Sequence, residues 1–250
     1  QVVDPVDIAF DENGDLWVAE MLDYPFDPKE GEAPRSRIRF LEDRDGDGVY
    51  ETATIFAGQL PHVSSVLPWK GGVLAAAAPD IFFFKDTDGD RKADLKQVLF
   101  TGFDDQVSPE ARVNNLRYGI DNWIYAANSG RPGAITSPLH PGKPGVVVRG
   151  YDFRFHPGTD RWEPAAGGTQ FGMSFDEWGN RFGSRNTIFL SHAVLPARYI
   201  LRSRFFTPAS MMQFTAGHDD NENVIYPLTQ PQQWRIERTQ ARRKRYEETR

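Results

Sequence analysis

Apolar and polar positions alternate along the chain in short runs, and the runs come in pairs separated by turn residues. Residues 6–10 alternate in this way, residues 11–15 contain the Asp, Asn and Gly of a tight turn, and residues 16–20 run back. This pattern predicts a β-hairpin. The same plan returns at residues 66–77, 116–127 and 173–183.

A second, outer hairpin follows each of the first three inner hairpins. The predicted outer pairs are 36–42 with 52–57, 80–85 with 95–100, and 151–155 with 161–163. Equivalent positions Trp17, Leu74, Trp123 and Phe182 are 57, 49 and 59 residues apart. Repeats of this length with four strands each are typical of β-propeller blades. The sequence therefore predicts an all-β fold, a β-propeller of four-stranded antiparallel blades.

The pattern predicts how far the blades extend along the chain. Residues 1–190 hold about four blades, whereas residues 191–250 look irregular or helical and end among charged side chains. We therefore expect an incomplete ring in this chain, with residues 191–250 forming an extension that leads into further blades.

Two acidic loops lie in equivalent outer hairpins, at residues 43–51 and 86–94. The acids occupy relative positions 1, 3, 5 and 9 of each loop, and the two loops are 43 residues apart. Oxygen ligands at this spacing suit calcium, which accepts six to eight of them in an irregular shell. The predicted metal ligands are Asp43, Asp45, Asp47 and Glu51 in the first loop, and Asp86, Asp88, Asp90 and Asp94 in the second.

Two alternatives to these calcium hairpins follow from the same residues. An EF-hand would need a Glu at position 12, where the chain has Thr54 and Gln97, and helices in place of the β-branched and aromatic flanks. Metal-free acidic turns are the other alternative, because Asp and Gly are ordinary turn residues. The second loop also has Arg91 where the first has Gly48. The repeated spacing favours calcium with a structural role.

Composition narrows the range of functions. The 250 residues carry a net charge of −6, which disfavours a general nucleic-acid binder, and they include no cysteine for disulfides, thiolate sites or c-type haem attachment. No apolar run approaches 18 residues, so no transmembrane segment is expected. Motifs for nucleotide binding, zinc hydrolysis and serine hydrolysis are also missing from the sequence.

Blade topology predicts that a set of polar residues gathers at one end of the central channel. Loops leading into the innermost strands and loops between second and third strands lie at that end, whereas the acidic loops lie at the other. We call these polar residues the axial set. Its members are Glu20, Asp23, Tyr24, His62, Arg112, Asn114, Asn115, Arg117, Asn128, Gln170, Arg185, Asn186 and His192.

Several phrases of the sequence together resemble a known family. They are Asp4-Pro5-Val6, residues 10–21, Asp23-Tyr24-Pro25, residues 67–74, residues 115–125, Gln170-Phe171-Gly172 and residues 175–183. The chain resembles the N-terminal propeller of the PVC-type membrane-bound dehydrogenase family, large bacterial envelope proteins. That family is distantly similar to the soluble quinoprotein glucose and sorbosone dehydrogenases. The resemblance covers nearly the whole chain.

The resemblance implies an extracytoplasmic sugar or alcohol dehydrogenase that uses pyrroloquinoline quinone and passes electrons to a c-type haem domain outside this chain. His62 is the predicted base, although the quinoproteins place a histidine on an early inner strand, where blade 1 here has none. Arg117 and Arg112 are predicted to bind anionic groups of cofactor or substrate. Four amides are predicted to recognise hydroxyl groups: Asn114, Asn115, Asn128 and Gln170. The remaining members of the axial set are predicted to bind substrate or cofactor.

Two other functions remain open at this point. One is a non-catalytic, calcium-stabilised propeller that binds a glycan or a protein. The other is a lactonase-type hydrolase with a metal in the channel, for which Glu20, Asn115, Asn128 and Asn186 would supply ligands.

Overall fold

The computed structural model describes residues 2–186, 188–203, 205, 210–214 and 230–248. The chain divides into two compact units, Gln1–Ala216 and Gly217–Arg250. The first unit contains all the strands described below, and the second contains one helix. Part of the predicted extension 191–250 therefore lies outside the described residues.

Four antiparallel sheets form the first unit, and each begins with a predicted inner hairpin. Blade 1 contains β1 (Pro5–Phe10), β2 (Leu16–Glu20), β3 (Ser36–Glu42) and β4 (Thr52–Leu60), and blade 2 contains β5 (Ser65–Trp69), β6 (Gly72–Ala77), β7 (Asp80–Lys85) and β8 (Leu95–Phe103). Blade 3 contains β9 (Asn114–Tyr118), β10 (Ile124–Ala127), β13 (Asp152–Phe155) and β14 (Trp162–Ala165). Blade 4 contains β15 (Phe171–Phe175), β16 (Arg181–Arg185), β17 (Ile188–Ala193) and β18 (Met212–Phe214).

The first strands of successive sheets contact one another in chain order. Strand β1 packs beside β5, β5 beside β9, and β9 beside β15. Later strands of each sheet follow outward in hydrogen-bonded order. Inner strands that meet around a common line, with sheets extending outward from it, are the arrangement of a β-propeller. The predicted all-β fold of four-stranded propeller blades is confirmed.

Apolar side chains on facing surfaces of neighbouring blades form the core. Between blades 1 and 2, Trp17 packs with Phe40 and Phe56 at ring-centroid distances of 4.6 and 4.7 Å, and these rings join Val73 and Phe82 of the next blade in one buried cluster. Each such side chain contributes about 1.5–3 kcal/mol when buried. Apolar packing between neighbouring blades therefore contributes to the stability of this unit.

Two short strands were missed by the sequence analysis. Strands β11 (Gly133–Thr136) and β12 (Val146–Val147) continue blade 2 outward from β8, which gives that sheet six strands. Only two to four residues pair in each, and Gly and Pro surround them, so no alternation is visible in the sequence. A short 3-10 helix, Pro109–Ala111, precedes β9.

The residues after β16 contain strands as well as helix. Strand β17 crosses the predicted boundary at residue 190, and β18 completes blade 4, with the short helix α1 (Ala197–Ile200) between them. The division of the chain at residue 190 and the continuation into further blades stay predictions.

The second unit contains helix α2 (Gln233–Glu248). Among the described residues, no helix combines the length and the apolar character needed to cross a bilayer.

The inner strand of blade 1 leaves one face open to solvent. Val6, Ile8 and Phe10 alternate along β1 and are 48%, 52% and 60% exposed. In the other blades such positions pack against a neighbouring sheet. An incomplete ring stays a prediction of the sequence analysis.

Candidate functional site

The first acidic loop joins β3 to β4 and brings its four carboxylates together. Ligand oxygens of Asp43, Asp45, Asp47 and Glu51 lie within 4.8 Å of one another. Asp43 shapes the turn by accepting hydrogen bonds from the backbone N–H groups of Gly46 and Gly48, both at 2.8 Å. Among the described residues, none of these four carboxylates forms an ion pair with a basic side chain. A cluster of uncompensated carboxylates is an arrangement that a divalent cation would stabilise.

The second acidic loop joins β7 to β8 and gathers three carboxylates. Asp86, Asp88 and Asp90 lie within the same 4.8 Å, and backbone N–H groups bind Asp86 at 2.7 and 2.9 Å as in the first loop. Hydrogen bonds from the backbone, led by Gly89, lower the pKa of Asp86. Asp94, the predicted fourth ligand, lies outside this group because it accepts hydrogen bonds from the backbone and hydroxyl of Thr87.

Both acidic loops lie at the end of the blades that carries the β1–β2 turn. The hydroxyl of Tyr50 donates to the carbonyl of Gly14 in that turn, at 2.9 Å. Asp86 lines a cavity of about 370 Å³ together with Asp11 and Asp15 of the same turn. Because strands alternate in direction, the loops of the axial set lie at the other ends of these strands.

His62 is a buried residue that joins two loops at the axial end. Its side chain is 1% exposed, its Nε2–H donates to the carbonyl of Phe26 at 3.2 Å, and its Nδ1 accepts from Arg112 at 3.0 Å. This tautomer follows from the hydrogen-bond partners. Burial, reinforced by the nearby Arg112 charge, lowers the pKa of His62. The imidazole is therefore neutral near pH 7, and both of its nitrogens are engaged.

The two arginines predicted to bind anions are each paired with a carboxylate. Arg112 donates to both oxygens of Asp27, at 2.8 and 3.1 Å. Arg117 donates to both oxygens of Asp7, at 2.8 and 3.2 Å, and Asp7 also accepts from the hydroxyl of Ser65 at 2.5 Å. Each positive charge is thus compensated within the protein.

Glu20 and Asp23 are buried carboxylates at the end of β2. Glu20 is fully buried and accepts hydrogen bonds from Arg37 and from Arg39, the latter at 2.8 Å. Burial alone would raise the pKa of Glu20, but these hydrogen bonds outweigh it and hold the pKa below its ordinary value. Asp23 binds the side chain of Arg35 at 3.0 Å, which fixes the start of β3.

The amide side chains of the axial set bind backbone groups, either in their own blade or in the next one. Asn114 donates to the carbonyl of Gln170 at 2.8 Å, and the oxygen of Asn115, turned toward blade 4, accepts from two backbone N–H groups at 2.8 and 3.1 Å. Asn128 donates to the carbonyl of Arg131 at 2.9 Å. The side chain of Gln170 accepts from the N–H of Asn186 at 3.3 Å. The contacts of Asn114 and Asn115 connect blade 3 to blade 4, whereas those of Asn128 and Gln170 lie within one blade.

The remaining members of the axial set are spread over the first unit. Tyr24 is half-buried in the β2–β3 loop, and Arg185 packs closely against the backbone of Gly168. His192 stacks on Phe182 at 4.8 Å between ring centroids. The structure therefore brings His62 together with Arg112 but places Arg117 in a separate cluster with Asp7 and Ser65.

Sequence reasoning missed the acids that accompany these cations. Asp7 and Asp27 are the partners of Arg117 and Arg112, and fully buried Asp152 binds Arg181 at 2.7 Å. An arginine predicted on an inner strand, or on the loop leading into it, itself indicates that an acid lies nearby, since a buried charge needs a counter-charge. The sequence does not say which acid supplies it.

Three members of the axial set, His62, Arg112 and Arg117, do not fit the roles predicted for them beside pyrroloquinoline quinone, whose carboxylates need cations that are not already paired. Arg112 and Arg117 are already paired, and the nitrogens of His62 are both occupied. The ligands predicted for a channel metal are also apart, since Glu20 binds arginines within blade 1 and Asn128 binds blade 3. Quinone binding by the protein stays a prediction without an assigned set of residues.

Comparisons with known proteins place the chain in a family. No curated protein matches the sequence. Among solved structures, the holo form of the pyranose dehydrogenase PQQ domain from Coprinopsis cinerea is similar, with 13% identity, a TM-score of 0.43, and coverage of 73% of this chain and 43% of that chain. The chain thus spans less than half the length of that structure. A family model described as a domain of unknown function, DUF7133, matches residues 1–248, and the chain belongs to this family.

Proposed function

We propose that this chain is a calcium-stabilised binding propeller, the first of the two other functions that the sequence leaves open. The supporting observation is the contrast between the acidic loops and the axial set. Four carboxylates of the first acidic loop converge without a cationic partner, whereas the polar groups predicted for catalysis are engaged with other parts of the protein.

Calcium would act at the acidic loops by removing the repulsion between carboxylates that the turn holds together. Each loop closes an outer hairpin, so a bound ion fixes β3 to β4 or β7 to β8 at the edge of its blade. Oxygen ligands at 2.3–2.6 Å and a flexible shell are what calcium requires. Magnesium, which demands a smaller and more regular shell, should bind more weakly.

Calorimetric titration of the chelator-treated chain with calcium tests this proposal. We expect binding at two sites, tighter at the first loop with its four carboxylates than at the second with three. Asp47→Asn should weaken the first site roughly tenfold or more, since it removes one charged ligand. Asp90→Asn should do the same at the second site.

Glu30→Gln is the matched control for these variants. Glu30 is an exposed acid in the β2–β3 loop, outside both acidic loops, so its substitution should leave both sites unchanged. Absence of calcium binding in the unaltered chain would refute the metal part of the proposal.

A quinone-dependent oxidoreductase is the second candidate, favoured by the sequence phrases that resemble the PVC-type membrane-bound dehydrogenases. Sugar or alcohol as substrate, a c-type haem partner and a location outside the cytoplasm belong to this candidate. Its test is dye reduction by the protein with pyrroloquinoline quinone, calcium and a panel of sugars. Activity lost in His62→Gln, measured at a temperature where the variant is still folded by circular dichroism, would support His62 as the base, and activity retained in that variant would remove this role. No reduction with any sugar would favour the binding function.

A further inference from the structure

A cavity of about 370 Å³ lies between blades 3 and 4, away from both the acidic loops and the buried pairs of the axial set. Strands of both blades and the segment around helix α1 line it. Its polar lining includes Arg154, Arg181, Arg198 and His192, and none of the described lining residues is a carboxylate. Arg154 and Arg181 are paired with acids that lie outside this lining, so Arg198 carries the positive charge that the cavity presents, on a chain whose net charge is −6.

A second cavity of about 430 Å³ continues the first along β14. The two share Arg154, Pro164 and Arg198 as walls. The basic residues that line the second cavity are Lys143, Arg154, Arg161, Arg198 and Arg202, against one carboxylate, Glu163. We call the two cavities together the cationic groove.

Three arginines of the cationic groove differ from Arg112 and Arg117 of the axial set. Arg161, Arg198 and Arg202 form no ion pair with a carboxylate in the part of the chain that the structure describes. By contrast, Arg112 and Arg117 are each bound by an aspartate. The positive charge of the groove is thus available to a ligand.

Other cations of the groove are fixed in place by the fold. Arg154 is buried, binds the carboxylates of Glu163 and Asp121 (3.1 Å for Asp121) and the hydroxyl of Tyr125 (2.8 Å), and lies 4.2 Å from the ring centroid of Trp123. Lys143 lies 3.9 Å above the ring of Trp162 and 3.7 Å from the carboxylate of Asp160. Cations held on aromatic faces lose little freedom when an anion binds, so the groove is organised before the ligand arrives.

Arg181, on β16 of blade 4, adds a buried donor beside the first cavity. Its Nη1 donates to Asp152 at 2.7 Å, but its buried Nη2 has no hydrogen-bond partner among the described residues. A buried donor without a partner costs about 1–3 kcal/mol. It marks this wall of the cavity as polar and incompletely satisfied.

The ligand must be anionic, and the walls of the groove favour a carbohydrate over a peptide or a nucleic acid. A peptide would add to the edge of β14, but Pro164 has no N–H for the ladder and α1 packs on this strand. Nucleobases would need free aromatic faces, and the Trp123 and Trp162 rings already carry arginine or lysine. Two joined cavities fit a chain longer than one sugar.

We propose that the cationic groove binds an acidic carbohydrate chain that carries carboxylate or sulfate groups. This inference rests on the proposed binding function and names its ligand class. Arg161, Arg198 and Arg202 contact the anionic groups, whereas Arg154 and Lys143 are paired with acids and form the walls between them. Binding should weaken as salt is added, because the contacts are charged and partly exposed.

Calorimetric titration of the calcium-loaded chain with two probes tests the inference. A tetragalacturonate supplies carboxylates, and a heparin-derived tetrasaccharide supplies sulfates. Maltotetraose, inorganic sulfate, a tetraglutamate peptide and a short oligothymidylate are the comparison ligands. We expect one or both acidic saccharides to bind and the comparison ligands to bind at least tenfold more weakly.

Variants locate the site within the chain. Arg161→Gln and Arg198→Gln should each weaken saccharide binding about tenfold, as expected for loss of one charge-assisted contact. Arg149→Gln removes the same charge from an exposed position outside the groove and should change affinity less than twofold. Equal melting temperatures of the three variants show that the fold is retained.

Several outcomes would overturn the inference. They are the absence of saccharide binding, equal losses in Arg149→Gln and the groove variants, and tighter binding of the peptide, the oligonucleotide or inorganic sulfate. Calcium titration of the same samples separates the two proposals. Calcium binding without saccharide binding refutes the groove alone, whereas failure of the calcium titration refutes the calcium-stabilised propeller itself.

Discussion

Carboxylates occur in two contrasting environments in this protein, the acidic loops and the interiors of the blades. In the first acidic loop, four of them lie together in solvent without a cation. Inside the blades, Glu20 and Asp152 are fully buried, and each binds at least one arginine. The comparison shows that buried acids are paired with a basic side chain of the protein. Clustered acids without a basic partner occur at the surface, where a metal ion can supply the positive charge.

The two acidic loops have the same backbone hydrogen bonds around their first aspartate but differ at one ligand, so they can be compared with each other. Backbone N–H groups bind the first aspartate in the same way in both. At position 9, Glu51 reaches the cluster, whereas Asp94 is one methylene shorter and binds Thr87. Arg91 of the second loop instead joins blade 1 by binding Glu42 at 2.9 Å. The second loop thus has one carboxylate ligand fewer than the first and, within the described ranges, it has a contact with the neighbouring blade that the first loop lacks.

The largest predicted difference between the two environments is in folding stability. Glu20→Gln leaves Arg37 and Arg39 without their buried counter-charge and should lower the free energy of unfolding by about 3 kcal/mol. The loss should be the same with calcium or with chelator. Urea denaturation followed by tryptophan fluorescence measures it.

Asp45→Asn is the matched substitution in the acidic loops. Asp45 is exposed and forms no ion pair among the described residues. With chelator, the change should therefore lower the free energy of unfolding by less than about 0.5 kcal/mol. With calcium the same variant should lose stability, because stabilisation by a ligand follows its affinity for the folded state. Equal losses for Glu20→Gln and Asp45→Asn with chelator would abolish the distinction between the two environments.

The sequence predicts the blades well because their signal is local. Alternation and turn residues within 15 positions specify each inner hairpin, and the registers Leu16 with Phe10 and Phe175 with Arg181 follow the predicted turns. Strands β11 and β12 have too few residues for such a signal. The acidic loops are local as well, so the convergence of seven of eight predicted ligands could be anticipated from spacing.

The environment of the axial set could not be predicted, because its contacts are long-range. Arg117 is 110 residues from Asp7, and Arg112 is 85 residues from Asp27. Only the packing of successive blades brings them together. The sequence therefore indicates that charged arginines lie near the loops of the axial end, but it does not indicate which acids pair with them. The cationic groove depends on the same long-range packing, between β14, blade 4 and α1.

A smaller effect concerns the pH dependence of the interior pairs, through His62. Burial and the Arg112 charge keep its folded-state pKa below the ordinary value of about 6.5. The unfolded chain therefore binds a proton more readily than the folded chain as pH falls below about 6.5. This contribution to stability is complete above that pH and is lost progressively below it. Between pH 7.5 and 5.5 we therefore expect the free energy of unfolding to fall.

Urea denaturation at a series of pH values, with chelator present so that calcium release does not contribute, measures this loss. His62→Gln is the control, because glutamine can keep a donor to Phe26 and does not titrate. The variant should lose stability at every pH but show a shallower slope between pH 7.5 and 5.5. An unchanged slope would mean that His62 titrates alike in the folded and unfolded chain. The interior would then tolerate a protonated imidazole beside Arg112, and the rule that buried charges are compensated there would fail at this residue.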